Sequence, residues 1–245
     1  MRLNGVEIKV SLAESEVQKA VRALHLGEDG KRRSIGFIED KTVGASLPLF
    51  RQGIVLRVRQ MEDEDDDQDD STVKLRPCRR SQLTSDWLDK EAGDGWKLRV
   101  EEDWAGTRRA LAASCVSDLP EGRIASVRDE KEPPVRRLFS EGQEQFLSDC
   151  AGMRINLDAL TLLPPIAATR WENVEIDDVK DIVVERWKVG NLDFLELSIK
   201  MKTLEAAQPA QDKLERGIRS LGLRRDDEDK SKTERVLAHL VGLKQ

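Results

Sequence analysis

The chain has 245 residues, 38% of them hydrophobic and 36% charged, which is polar for a globular protein yet far richer in apolar residues than a disordered one. Its 41 Lys and Arg against 47 Asp and Glu give a net charge of −6, which speaks against nonspecific binding to nucleic acid or to an anionic membrane. That average hides an asymmetry, because the run EDEDDDQDD at 62–70 holds eight carboxylates and the remainder is mildly basic. No apolar run approaches the ~18 residues of a membrane span, so the expectation is one soluble, cytoplasmic domain over 1–245. Cys78, Cys115 and Cys150 are odd in number and never form CxxC, and His25 and His239 are the only histidines. A disulfide framework, a zinc site and a His-based nucleophile therefore lack raw material, and no glycine-rich phosphate loop is present. Any chemistry falls to carboxylates, Arg and Lys.

In chain order, Val6, Ile8 and Val10 alternate with Glu7 and Lys9, which predicts a strand. Ser11 and Glu14 then form a predicted capping box for a short helix carrying Val17, Val21 and Leu24. Residues 35–39 predict a weaker strand, and 53–60 a strong one, with Ile54, Leu56 and Val58 opposite Val55, Arg57 and Arg59. Thr72 to Arg76 alternates again, so the acidic run becomes the enlarged, solvated tip of a hairpin. Trp96, Leu98 and Val100 oppose Lys97, Arg99 and Glu101. Helices are expected around Leu83 to Leu88, Leu111 to Val116 and Phe146 to Cys150, with a loop from Pro120 to Pro134. Strands return at 168–176, 181–187 and 194–202, the last with Glu196, Ser198 and Lys200 on one face. One closing helix carries Leu214, Ile218 and Leu221; another, at 230–243, opens with Ser231 and Glu234 as a second capping box.

Seven or eight strands each have one apolar and one charged face, and several amphipathic helices need an apolar surface to cover. The apolar faces could pack together as a sandwich with the charges in water. Alternatively the sheet closes into a barrel with charged faces inward and helices outside. An interior lined by Arg and Lys is self-repelling when dry, so that arrangement makes sense as a hydrated tunnel for a polyanion.

The ordered strands resemble CYTH-domain proteins of the triphosphate tunnel metalloenzyme superfamily. GVEIKV at 5–10 is similar to the ExExK signature, FRQGIVLRVRQ at 50–60 to the G..LRxR strand and STVKLRP at 71–77 to the TxKxR strand. WKLRVEED at 96–103, ATRWENVEI at 168–176, IVVERW at 182–187, LELSIKMK at 195–202 and DKSKTERVL at 229–237 resemble the later strands and the C-terminal helix. The resemblance implies an α+β fold, a closed antiparallel eight-stranded β-barrel with helices packed outside, holding a triphosphate-containing small molecule or polyphosphate with Mg²⁺ or Mn²⁺. It implies Arg57, Arg59, Lys74, Arg76, Arg99, Arg170, Lys200 and Lys232 as substrate ligands. It further implies Glu7, Glu101, Glu185 and Glu196 as metal ligands, with Lys9, Glu7 and Glu196 in the catalytic role. Guanidinium forks suit phosphate oxygens, and hard cations suit carboxylates. The chain departs from the pattern at Gly5, Ser198 and Lys200, where glutamates are expected. The implied activity is a metal-dependent phosphohydrolase acting on inorganic or thiamine triphosphate. A non-catalytic polyphosphate- or nucleotide-binding module and class IV adenylate cyclase chemistry are the alternatives.

Overall fold

The computed structural model describes residues 3–41, 46–63, 68–129, 135–226 and 230–242. Its strands are β1 (Gly5–Leu12), β2 (Lys31–Glu39), β3 (Ile54–Met61), β4 (Asp70–Leu75), β5 (Ala92–Gly93), β6 (Trp96–Ala105), β7 (Arg108–Asp118), β8 (Thr161–Leu162), β9 (Ile166–Ile176), β10 (Val179–Val189) and β11 (Leu192–Met201). The helices are α1 (Val17–Ala23), α2 (Pro48–Arg51), α3 (Ser85–Leu88), α4 (Arg123–Asp129), α5 (Glu141–Cys150), α6 (Leu204–Ser220) and α7 (Lys232–Leu240).

Nine strands hydrogen-bond in the order β1-β11-β10-β9-β2-β3-β4-β7-β6, and β6 pairs back onto β1 to close the ring. The eight pairings along that path are antiparallel, so the first and ninth strands run the same way and the closing pair is parallel. Eight strands were expected. The ninth is β7, whose Leu111 to Val116 stretch reads as a helix because small residues on both faces erase the alternation. Pairing with β4 on one side and β6 on the other overrides that local preference.

Side-chain alternation in the ring follows the barrel arrangement, with charged faces inward and apolar faces outward. In β1, Val6, Ile8, Val10 and Leu12 are buried beneath helices, while Glu7, Lys9 and Ser11 face the interior of the ring. One apolar layer packs α6 residues Leu214 and Ile218 and α1 residue Val17 on Ile8, Leu195 and Leu197. Another packs Trp87 of α3, Phe146 of α5 and Ile124 of α4 on strand residues such as Leu56, Val73 and Leu98. Each fully buried Leu, Ile or Phe in these layers contributes roughly 1.5–3 kcal/mol, which lets the outside of the sheet serve as the core. Gln143 rivets α5 to the ring: its amide donates to the carbonyls of Ser71 (2.9 Å) and Cys115 (3.0 Å), and its Oε1 accepts from Ser71 Oγ (2.9 Å). Cys78, Cys115 and Cys150 are free thiols buried in this layer.

Three further expectations need correction. Ser11 caps no helix: it is a β1 residue whose Oγ donates to Glu196 Oε2 at 3.2 Å, and a 3₁₀ turn at Glu14–Glu16 leads into α1. The segment read as a loop from 120 contains α4, whose helical signal is only the pair Ile124 and Val127 among charges; 130–134 lie outside the described residues. The acidic tip is partly structural. Asp63 binds the Arg32 backbone N–H and guanidinium, Asp69 accepts from Met61 N, and Asp70 lies in β4 facing inward; 64–67 lie outside the described residues. The capping box at Ser231 forms, Ser231 Oγ accepting from Glu234 N.

Candidate functional site: a charged tunnel

All thirteen residues singled out as site residues line one cavity of about 1890 Å³ inside the ring. The period of two places them there. Arg57 and Arg59 of β3 stand beside Thr72 and Asp70 of β4, and Arg99 and Glu101 of β6 beside Ser114 and Ala112 of β7. The small inward residues of β7 leave room that larger side chains would fill.

A first cluster centres on Asp103, whose side chain is completely buried. Its carboxylate meets Lys9 Nζ at 3.3 Å, Lys74 Nζ at 3.1 Å and Arg76 Nε at 3.0 Å. Lys9 also pairs with Glu7 at 2.7 Å. Burial opposes ionisation of Asp103, but Lys9, Lys74 and Arg76 outweigh it and hold the carboxyl far below its usual range. For Lys74 the balance is reversed: burial, then repulsion from Lys9, pulls its ammonium down to about 8 despite Asp103. Lys9 is raised, because Glu7 and Asp103 overcome the burial that would lower it.

A second cluster sits where β10 and β11 pair Glu185 with Glu196. Lys232, the first residue of α7, reaches in with Nζ 3.4 Å from Glu185 and 3.0 Å from Glu196, and lies 3.9 Å from the centre of the Trp187 ring. Burial would raise the Glu185 carboxyl, but Lys232 and then Arg57 hold it at about 2. Between the clusters, Arg59 pairs with Asp70 at 2.7 Å. Arg57 has a buried Nε with no hydrogen-bond partner, and burial followed by repulsion from Arg59 lowers its guanidinium to about 10. Arg170 pairs with Glu172 at 2.8 Å, Lys200 with Glu101 at 3.1 Å, and Arg99 lines the cavity exposed to solvent.

The four glutamates expected to hold metal thus fall into separate groups, and each is in contact with a lysine. Among the described residues no three metal-ligating side chains converge. Glu185 and Glu196 do aim at one point, now taken by the Lys232 ammonium. That donor set fits a hard cation completed by phosphate oxygens and water, rather than one caged by protein alone.

Sequence reasoning missed Asp103 and Arg33. Asp103 continues an alternation already recognised, two residues beyond Glu101 in β6, whereas Arg33 lies two residues before the weaker strand expected at 35–39, and both line the cavity. It also missed an apolar floor of the cavity, where Phe37 and Trp187 meet with ring centroids 5.8 Å apart beside Phe194.

No known family profile and no curated protein matches the sequence. Solved structures do match. A candidate adenylate cyclase from Bacillus halodurans aligns at 14% identity and TM-score 0.58, over 95% of this chain and 97% of that one. A candidate adenylyl cyclase from Hippeastrum, reported to have a dominant triphosphatase activity, aligns at 14% identity and TM-score 0.57, over 94% and 93%. The chain shares their fold. A protein from Pyrococcus horikoshii aligns at 14% identity and TM-score 0.50, over 96% and 99%. The shared architecture is the closed sheet with helices outside that the motif resemblance implied. No described helix is long and apolar enough to cross a membrane.

Proposed function

We propose that this chain hydrolyses a compact triphosphate, inorganic triphosphate or thiamine triphosphate, with Mg²⁺ or Mn²⁺. The observation that carries the reading is the convergence of Arg57 and Arg59 of β3, Lys74 of β4 and Arg76 just past it onto one interior. A triphosphate carries about four negative charges near neutral pH, and hydrogen bonds from ionised donors to its oxygens are roughly twice as strong as neutral ones. Arg57 and Arg59 bind and orient the chain of phosphates; Lys9, Lys74 and Arg76 neutralise the phosphoryl group under attack. Glu185 and Glu196 would hold the divalent cation, which when bound supplies Lewis-acid polarisation of a phosphoryl oxygen. Positioning and charge stabilisation suffice for phosphoryl transfer to water, and no protein nucleophile is needed. The dominant triphosphatase activity of the Hippeastrum protein supports hydrolysis in this fold.

A second reading, a polyphosphate-binding module without catalysis, is favoured by the lysine in contact with each glutamate, since a built-in ammonium already fills each anionic seat. Phosphate release from inorganic triphosphate, thiamine triphosphate and ATP, with Mg²⁺ and Mn²⁺ separately and cyclic AMP assayed in parallel, separates the readings. Release from the compact substrates is expected. Tight binding without release under either metal replaces the hydrolase with the binding module.

A further inference from the structure

Asp103 is an anion in a tunnel built for anions. It is 2% exposed, it lies on β6, and the three cations it meets come from the paired strand β1 and, beyond β7, from β4 and the residue that follows it. Lys9, Lys74 and Arg76 thereby converge on one carboxylate at 3.0–3.3 Å, distances at which two long ammonium chains and a guanidinium would otherwise repel and scatter. A carboxylate with donors on both oxygens offers them the geometry that a phosphoryl group offers.

Resting on the triphosphate reading above, we propose that Asp103 is a positioning residue, an internal stand-in for phosphate that gathers Lys9, Lys74 and Arg76 at one point and shares them with the incoming phosphoryl group. Two opposite consequences follow. Its negative charge weakens anion binding directly. It also keeps Lys74 protonated against burial and against Lys9 and Arg76, with Glu7 as the other anion nearby. Lys74 is a base held below its usual value, so its contribution to anion binding is present at low pH and lost as pH rises through about 8. Without Asp103 that loss comes at lower pH.

The two effects cancel in one range and not in another, which gives the test its sign. In Asp103→Asn, Lys74 is still protonated at low pH, so the tunnel carries one more positive charge than the wild type and binds inorganic triphosphate more tightly. Above the shifted midpoint Lys74 is neutral in the variant and the extra charge is gone. Calorimetric titration with inorganic triphosphate in EDTA from pH 5.5 to 9.5 is expected to show curves that stand apart at the acidic end and converge between the two midpoints. The variant should bind about tenfold tighter at the acidic end, and its loss of affinity should be displaced downward by at least about one pH unit, one unit corresponding to a tenfold change in protonation. Comparison at equal pH cancels the ligand's own titration. A variant curve parallel to the wild type, displaced uniformly or not at all, overturns the inference and leaves the triphosphate reading standing. A wild-type chain that binds no triphosphate at any pH, either in EDTA or with Mg²⁺, removes both. Asp103→Glu keeps the charge and shifts it by one methylene: its midpoint should stay where the wild type has it while affinity drops about tenfold. If Asp103→Asn does not fold, unchanged affinity in Asp103→Glu overturns the positioning role.

Discussion

Lys232 reaches from α7 into the ring and places its ammonium 3.0 Å from Oε1 of Glu196, so a helix outside the sheet supplies the counter-ion of a strand residue inside it. The same ammonium touches Glu185, and a cation seated on both glutamates must displace it. Lys232→Met keeps a long side chain over Trp187 and removes the competitor. Mn²⁺ titrated in the absence of phosphate should bind about tenfold more tightly to the variant, worth about 1.4 kcal/mol. Equal affinity would show that the two glutamates are not where the cation sits.

Arg57 and Arg59 are neighbours by sequence but not by energetics. Arg57 buries an Nε without a partner, among other cations, so Arg57→Ala should weaken triphosphate binding at least tenfold while leaving thermal stability unchanged or slightly raised. Arg59 pairs with Asp70, which is 5% exposed, and Arg59→Ala leaves that carboxylate without its counter-ion, held, among the described residues, only by Thr72 Oγ1 at 3.3 Å. Its expected cost is about 1–3 kcal/mol in addition to lost affinity. Thermal denaturation of the two variants side by side decides the point; equal losses would refute the distinction.

Turnover should require the divalent cation. EDTA is expected to abolish phosphate release, and Glu196→Gln to lower kcat at least about a hundredfold with KM changed by no more than about threefold. The amide keeps the size of the side chain but loses the anionic oxygen that a hard cation prefers. Comparable losses in kcat and in affinity for metal-free triphosphate would instead place Glu196 in the anion-binding set.

Gln143 is fully buried and bonds two strand carbonyls. Gln143→Leu should cost about 2–6 kcal/mol, since each of the two carbonyls that loses its donor costs on the order of 1–3 kcal/mol. Urea unfolding would read it, and a loss under 1 kcal/mol would mean that α5 is held by its apolar face alone.

The strands most legible in the sequence were those in which charge alternates with branched apolar residues, because a barrel with helices outside and ions inside imposes opposite chemistry on the two faces of every strand. β3, with Leu56 and Val58 against Arg57 and Arg59, states that rule openly. β7 conceals it: Ala112 and Ala113 look alike, though one faces the cavity side and the other the helices. Period put the cations on one face of each strand and the motif resemblance turned that face inward, but neither could give their pairing. That Lys9, Lys74 and Arg76 meet at Asp103 depends on strand order and register, which place β1 directly beside β6 and β4 one strand beyond it. Lys232 was expected through motif resemblance, and only the docking of α7 reveals that it rests between two glutamates.

The parallel seam between β1 and β6 has a consequence for how the molecule holds itself shut. An odd ring must close through one pairing unlike the others, and this one joins residues 5–9 to 101–105, far apart along the chain. Lys9 lies on one side of the seam and Asp103 on the other, so their ion pair is also a clasp over the joint. A bound polyphosphate gripped by Lys9 from β1 and by Arg99 from β6 would act as a staple across it. By mass action such a ligand at a hundred times its dissociation constant adds about 2.7 kcal/mol to stability, and its contacts would bridge the one parallel joint of the ring.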